Sequence, residues 1–441
     1  MRKPCTRLIT QSAIGLLLLL YPTLTWGQAP APPFAAGLKH PIGLTLDSLG
    51  RLWVAESGTG TDDGQISIIM PDGSVHPFLG GLPSDTNAVD EIVGAWRVAF
   101  MEGQVVIVQG EGVDGDSLSG ALLMVDTTGF MPGEDSLTRA DIDSILHISA
   151  FVLDEGYAES NPFAFVMDAA TGNLLITDAA ANAVLVYDPA ADTMGVFAEF
   201  PPVPNNTGVG PPMADAVPTR ILAHEDQFLV GTLTGFPFSD SAASVYAVSA
   251  EGAVSMLYDS LTTVVDMAID PMDGQLVVLQ RWRFMTTPPG PLMNSGMLLK
   301  LTAEGIDTLM QDLFFPSGLA MGMDGTVYIS SDVAGTVIRA SVLTSNRPLP
   351  AEAVGFNIYP NPFQGSTAIR YQLDRPQPVR IEVFDPTGRR VATLRDQTQA
   401  AGTYTQQWSG HNDLGQELRA GYYLIRLQIG DHAWTKATIK Q

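Results

Sequence analysis

RLWVAES (51–57) is a short apolar run that follows Gly50 and turns polar at its sixth residue, Glu56. Five further runs have the same form: QVVIVQG (104–110), NLLITDA (173–179), QFLVGTL (227–233), QLVVLQR (275–281) and TVYISSD (326–332). Gly103, Gly172, Gly274 and Gly325 precede four of them and Asp226 precedes QFLVGTL, residue types that tolerate turn geometry. Before each turn lies another short strand-like segment, such as IGLTLD, FAFVMD or GLAMGM, and after most runs comes a third, such as GQISIIM, NAVLVYD or GTVIRAS. Helical periodicity is scarce, so the pattern reads as all-β.

Six units at spacings of roughly 50 to 70 residues suit four-stranded blades arranged radially, so the expected fold is a six-bladed β-propeller. The phrase PPFAAGLKHPIGL (32–44) parallels TLMQDLFFPSGL (308–319), in which an outer strand leads through Pro316 into the next inner strand. By that parallel, Phe34 to Leu38 is an outer strand that completes the sixth blade, whose own strands stop near Val342. Such closure removes the free edges of a broken ring.

Around this core the chain divides. Arg2, Lys3 and Arg7, the apolar stretch Ala13 to Leu20 and the small residues before Gln28 have the layout of a secretory signal over 1–27. That stretch is shorter than the roughly 20 residues of a membrane-crossing helix, so no transmembrane anchor is expected. The single cysteine, Cys5, falls within the signal, which excludes disulfides and thiolate chemistry after cleavage. The propeller is expected over 28–343, a Pro-rich linker over 344–355, and a second domain over 356–441. Residues 28–354 carry 10 basic and 40 acidic side chains, against 10 and seven over 355–441. So acidic a propeller argues against nucleic acid as a partner, because phosphate binding needs the opposite sign.

The sixth positions of the aligned runs are Glu56, Gln109, Asp178, Thr232, Gln280 and Ser331, all polar. Equivalent strand positions fall on equivalent sites of each blade, so these are expected to ring one mouth of the axial channel as a ligand-binding column. With two carboxylates, the cation such a ring would take is calcium; no other cofactor is implied. Asp62 and Asp63, and Glu111, Asp114 and Asp116, lie in acidic loops after the first two runs, but not at calcium-loop spacing. Arg281, Trp282, Arg283 and Phe284 either receive an anionic or carbohydrate ligand or pack against LTGFPF (233–238) of the neighbouring blade. His40, His76, His147, His224, His411 and His432 lack metal-ligand spacing, and no Gly-x-Ser-x-Gly, phosphate loop or His-Glu-x-x-His is present.

GLKHPIGLTLDSLGRLWVAESGTG (37–60), NPFAFVMDAATGNLLITDAAANAVLVYD (161–188) and VPTRILAHEDQFLVGTLTGFPFSDSAASVYAV (217–248) resemble the ScyD/ScyE family of secreted propellers. This resemblance, carried most specifically by Leu233 to Phe238, implies fold and export but no enzymatic activity. The chain departs from that pattern in having His224-Glu225-Asp226 where a Pro-Asp-Gly turn is usual. Residues 356–441 resemble a FlgD-type immunoglobulin-like domain and the type A sorting domain of type IX secretion. The resemblance rests on Tyr359-Pro360-Asn361-Pro362, Phe384-Asp385 with Gly388, Trp408 with Gly410 and Asn412, and Gly421-Tyr422-Tyr423 before Lys436. It implies a β-sandwich read by the type IX machinery at the outer membrane, with Pro360, Asn361, Pro362, Gly421, Tyr422 and Lys436 as the sorting motif, and a secreted or cell-surface location.

No compact nucleophile, base and oxyanion set is visible, so the leading expectation is a binding module for a small molecule, glycan or protein. The alternative is a metal-dependent hydrolase resembling six-bladed lactonases, whose cation Glu56, Asn161 and Asp178 would hold. The Gly-Leu-x-x-Pro phrase also resembles the start of quinone-dependent sugar dehydrogenases, but no histidine of this sequence matches their catalytic one.

Overall fold

Turn geometry recurs where glycine does. In a computed structural model, Gly50, Gly103, Gly172, Gly274 and Gly325 all adopt positive φ of 75–90°, which lets the chain reverse between the first and second strands of a blade. In the fourth blade the left-handed residue is Glu225, at φ 53°, rather than the adjacent Asp226. The structure describes residues 32–441 except 88–89, 102, 112–114, 304, 342–354, 374–375, 386–389 and 430–431. The signal segment, most of the linker, Asp114 and Gly388 therefore lie outside the described residues.

These turns build six four-stranded antiparallel sheets. Their inner strands are Pro41–Leu46, Ala95–Met101, Pro162–Met167, Pro218–His224, Val264–Ile269 and Pro316–Met321. Each packs on the next and the sixth on the first, so the sheets form a closed ring of blades. Ala35 and Ala36 pair antiparallel with Val337 and Thr336, adding a fourth, outermost strand to the sixth blade. Leu38 N–H donates to Gly335 O at 3.1 Å, and Phe34 packs on Tyr328 with Arg339 over its face.

Blades meet through apolar faces. Trp53, Ile66 and Phe78 of the first blade pack with Val105, Ile107 and Leu123 of the second, and equivalent clusters fill the other five junctions. Hydroxyls add hydrogen bonds across these seams: Thr45 Oγ1 to Val98 O, Thr177 Oγ1 to Thr219 O, Thr219 Oγ1 to Val264 O and Ser317 Oγ to Pro41 O, at 2.6–2.9 Å. Each of these hydroxyls thereby pairs with a carbonyl of the neighbouring inner strand, satisfying both groups.

Residues 356–441 fold into a three-stranded and a four-stranded sheet. Ile369, Tyr371, Ile381, Val383, Trp408, Ile425 and Leu427 fill the core between them, as expected of an immunoglobulin-like sandwich. Among the described residues no helix is long and apolar enough to cross a membrane.

Candidate functional site

Strand direction puts the start of every inner strand and the end of every second strand at one end of the ring. The hairpins Asp85–Thr86/Ile92–Val93, Val203–Pro204/Met213–Ala214 and Arg283–Thr286/Pro289–Leu292, and the helix Ile148–Asp154, all emerge there. At the opposite end the turns are short except for 127–143, which folds back along the edge of the first blade, bridging Leu137 to Leu79. The hairpin-bearing end is the elaborated one, and elaborated loops on a rigid scaffold are where binding groups concentrate.

The six column residues lie at this end at one common register. Glu56 pairs with Pro41, Gln109 with Ala95, Asp178 with Pro162, Thr232 with Pro218, Gln280 with Val264 and Ser331 with Pro316. In every blade the pairing shifts immediately afterwards, a bulge that re-aims the next residues of the inner strand.

Contacts of the column are local. Glu56 accepts the Lys39 N–H on one oxygen and Gln65 Nε2 and Ser67 Oγ on the other. Asp178 accepts the N–H groups of Asn161 and Ala181 and the Ser160 hydroxyl. Lys39 and Asn161 each stand just before an inner strand, so both carboxylates fasten the chain where it enters a blade. Gln109 donates to Pro83 O, Ser331 to Phe314 O, and Thr232 Oγ1 exchanges hydrogen bonds with the Ser244 backbone. Gln280 is buried. Burial raises the pKa of Glu56 and of Asp178, with the hydrogen bonds opposing it.

Asn161 joins the column at Asp178. Its Oδ1 accepts from Trp96 Nε1 at 2.8 Å and from Glu111 N–H at 3.2 Å. Burial first, then the charges of Glu159, Glu91 and Asp178, push the Glu111 carboxyl up against the hydrogen bond from Asn87. A cation at Glu56, Asn161 or Asp178 would have to compete with backbone and side-chain donors already bound to the oxygens. Among the described residues no three His, Cys, Asp or Glu side chains are grouped as a metal would need. The acidic loops are partly neutralised: Asp63 pairs with Lys39 at 3.1 Å, and Asp116 and Asp62 face Arg139 at 2.5 and 3.7 Å.

Of the two roles open to Arg281–Phe284, packing is the one seen for the aromatics. Trp282 is buried edge-on against Phe238 at 4.9 Å, and Phe284 contacts Phe236 and Phe238. Arg281 pairs with Asp332 of the sixth blade and Arg283 with Asp240. Phe236, Met285, Leu292 and Met293 remain exposed at the outer limit of this cluster.

Sequence comparison of the second strands missed Arg97, Arg220 and Asp266. They occupy the third position of three inner strands, and aligning those strands brings them into one column with Gly43, Ala164 and Gly318.

In the tail, Asn361 Nδ2 donates to Ala437 O, and its Oδ1 accepts the Ile439 N–H, both at 2.9 Å. Phe363 and Ile439 continue that pairing. Pro360 O accepts Thr367 Oγ1, Pro362 follows Asn361, Gly421 pairs with Lys440 and Tyr422 with Ile439, and Lys436 Nζ lies 5.7 Å from the Phe356 ring centroid. The motif residues thus gather along the last strand, His432–Lys440.

Residues 358–431 match the FlgD Ig-like domain family. No curated protein matches the chain. Among solved structures, similarity extends to the extracellular domain of a candidate one-component system, BT4673, from B. thetaiotaomicron (11% identity, TM-score 0.38, 91% of this chain and 49% of that one). A candidate 6-phosphogluconolactonase from Bacteroides uniformis is 12% identical at TM-score 0.38, over 85% of this chain and 88% of that one. The WD40 β-propeller domain of Doa1 is 9% identical at TM-score 0.40, over 69% and 94%. The chain spans about half the length of the first of these. The fold assignment stands on the sheet pairing described above: a β-propeller carrying, at its C-terminal side, a FlgD Ig-like domain.

Proposed function

We propose that this chain is an exported binding protein of the ScyD/ScyE kind. In this reading a propeller over 28–343 presents its hairpin-bearing end to a ligand, and the domain over 356–441, joined through 344–355, directs it to the type IX machinery after removal of 1–27. The observation that carries the binding role is the concentration of three hairpins and a helix at one end of the ring, with a packed aromatic cluster whose Phe236 is 45% exposed. An aromatic face held rigid by Phe238 and Trp282 loses little entropy on contact, and it suits stacking against the apolar face of a sugar ring.

Two measurements test the two halves of this reading. A glycan array probed with the mature protein should give hits that weaken at least tenfold in Phe236→Ala, and an array without hits would remove the carbohydrate assignment. Deleting 355–441 in a host with type IX secretion should leave a folded propeller retained in the periplasm, whereas undiminished surface delivery would overturn the sorting role.

A further inference from the structure

Three charged side chains cross the axis of the ring. Arg97 Nη1, from the second blade, is 3.0 Å from Asp266 Oδ2 of the fifth, and blades three places apart in a ring of six face each other across its centre. Arg220 Nε, from the fourth blade, is 3.2 Å from Asp266 Oδ1. Asp266 is saturated, since its two oxygens also accept the N–H groups of Leu319 and Met267 at 2.8 Å.

Two guanidinium groups therefore share one carboxylate, which leaves a net positive charge at the axis. Arg97 is 1% exposed, and its Nε and Nη2 have no acceptor among the described residues. Those two nitrogens form one edge of the guanidinium, the fork that matches a carboxylate or cradles a single ion. The aligned residues Gly43, Ala164 and Gly318 supply no side-chain acceptor. Burying an unbalanced charge and unmet charged donors is strongly unfavourable, so the arrangement calls for a negative partner.

An apolar layer covers one side of these groups. Towards the hairpin-bearing end, Ile42, Trp96 and Phe163 pack together, and Phe163 also meets the cluster of Val265 and Leu319 across the axis. The Arg220 side chain keeps 21% of its surface, whereas that of Asp266 keeps none. Burial, reinforced by the charge of Arg97 and opposed by Asp266, brings the Arg220 pKa down to about 10.

We propose that the axial channel binds a small monovalent anion, a halide or an acetate-sized carboxylate, held by Nε and Nη2 of Arg97 and facing Arg220. The site is separate from the hairpin-bearing surface and ties the opposed second and fifth blades together.

The test uses the mature protein in isethionate, an anion bulkier than the three candidates, with chloride, bromide or acetate substituted at constant ionic strength. A saturable rise in melting midpoint with at least one of the three is expected, as for any ligand of the folded state alone. A response to acetate only identifies a carboxylate, and a response to chloride and bromide a halide. Arg97→Met should abolish the response. Should that variant fail to fold, Asp266→Asn, which adds to the positive excess, should steepen it. Crystals of the unmodified protein grown in bromide or acetate should show the ion against Arg97 Nε and Nη2. A flat response to all three, with only water at that edge in both crystals, would overturn the proposal.

Discussion

Glu56 illustrates how a buried carboxylate can serve the fold. It takes three donors, one of them the backbone of Lys39, so Glu56→Gln would present an amide N–H to at least one donor it now accepts. The expected loss is about 1–3 kcal/mol for the unmet group, measured by urea unfolding. Its pKa is raised, chiefly by burial, so the folded state binds the proton more tightly than the unfolded chain. The stability this contributes is complete below the unfolded value, near 4.3, and is lost as pH rises through the higher folded value. The penalty of Glu56→Gln should accordingly be larger near pH 4 than near pH 7. A penalty that instead appeared only with added calcium, together with calcium binding by calorimetry, would mark Glu56 as a cation ligand. At this scale the sequence shows which positions are polar, because the sixth residues align. It does not show their partners: Lys39 and Ser67 lie outside the repeated run, and hydrogen-bond geometry leaves no mark in periodicity.

Blades were legible because turn glycine and strand length are local signals. The bulge after the first residue of each inner strand was not, since a one-residue slip looks like ordinary alternation yet turns the following side chains to new faces. That slip is also why Arg97, Arg220 and Asp266 escaped notice while the second strands aligned cleanly. The glycines separate two kinds of constraint. Among the described residues a Cβ at Gly50 would meet nothing within 4 Å, so Gly50→Ala should cost only its positive φ, about 1 kcal/mol. A Cβ at Gly318 would fall 1.9 Å from Ile42 O, where the sixth inner strand presses on the first, and backbone cannot move aside as a side chain can. Gly318→Ala should cost about 3 kcal/mol. Glu225→Gly should gain roughly 0.5 kcal/mol, because relief of the left-handed strain exceeds the added chain entropy. Denaturant midpoints of the three variants check this order, and equal effects at Gly50 and Gly318 would contradict the close approach of those strands.

Over the whole molecule, a ring of blades is only as strong as its last seam. Five seams join blades connected directly by chain, whereas the sixth joins Pro41–Leu46 to Pro316–Met321 and depends on contacts between distant residues. Ser317 and Ser330 donate to Pro41 O and Ile42 O at 2.7 Å, and Leu38, Leu44 and Val54 pack with Ala320 and Val337. Residues 34–38 reinforce this seam twice, by burying Ala35 and Leu38 and by covering the edge of Thr336–Ser341. Removing residues up to 38 exposes that apolar surface, a loss of about 3 kcal/mol for the leucine and its neighbours. It also leaves Thr336–Ser341 as an unpaired edge beside Val337 and Tyr328, the kind of strand that recruits another chain. The shortened protein should therefore show two linked changes, a lower denaturant midpoint and concentration-dependent self-association in light scattering. A peptide of residues 32–40 added in excess should reverse both, because it can restore the pairing at Val337 and the Leu38 N–H bond to Gly335 without covalent attachment. A lowered midpoint without association, unaffected by the peptide, would mean that these residues act through packing alone and that the edge is protected by other means.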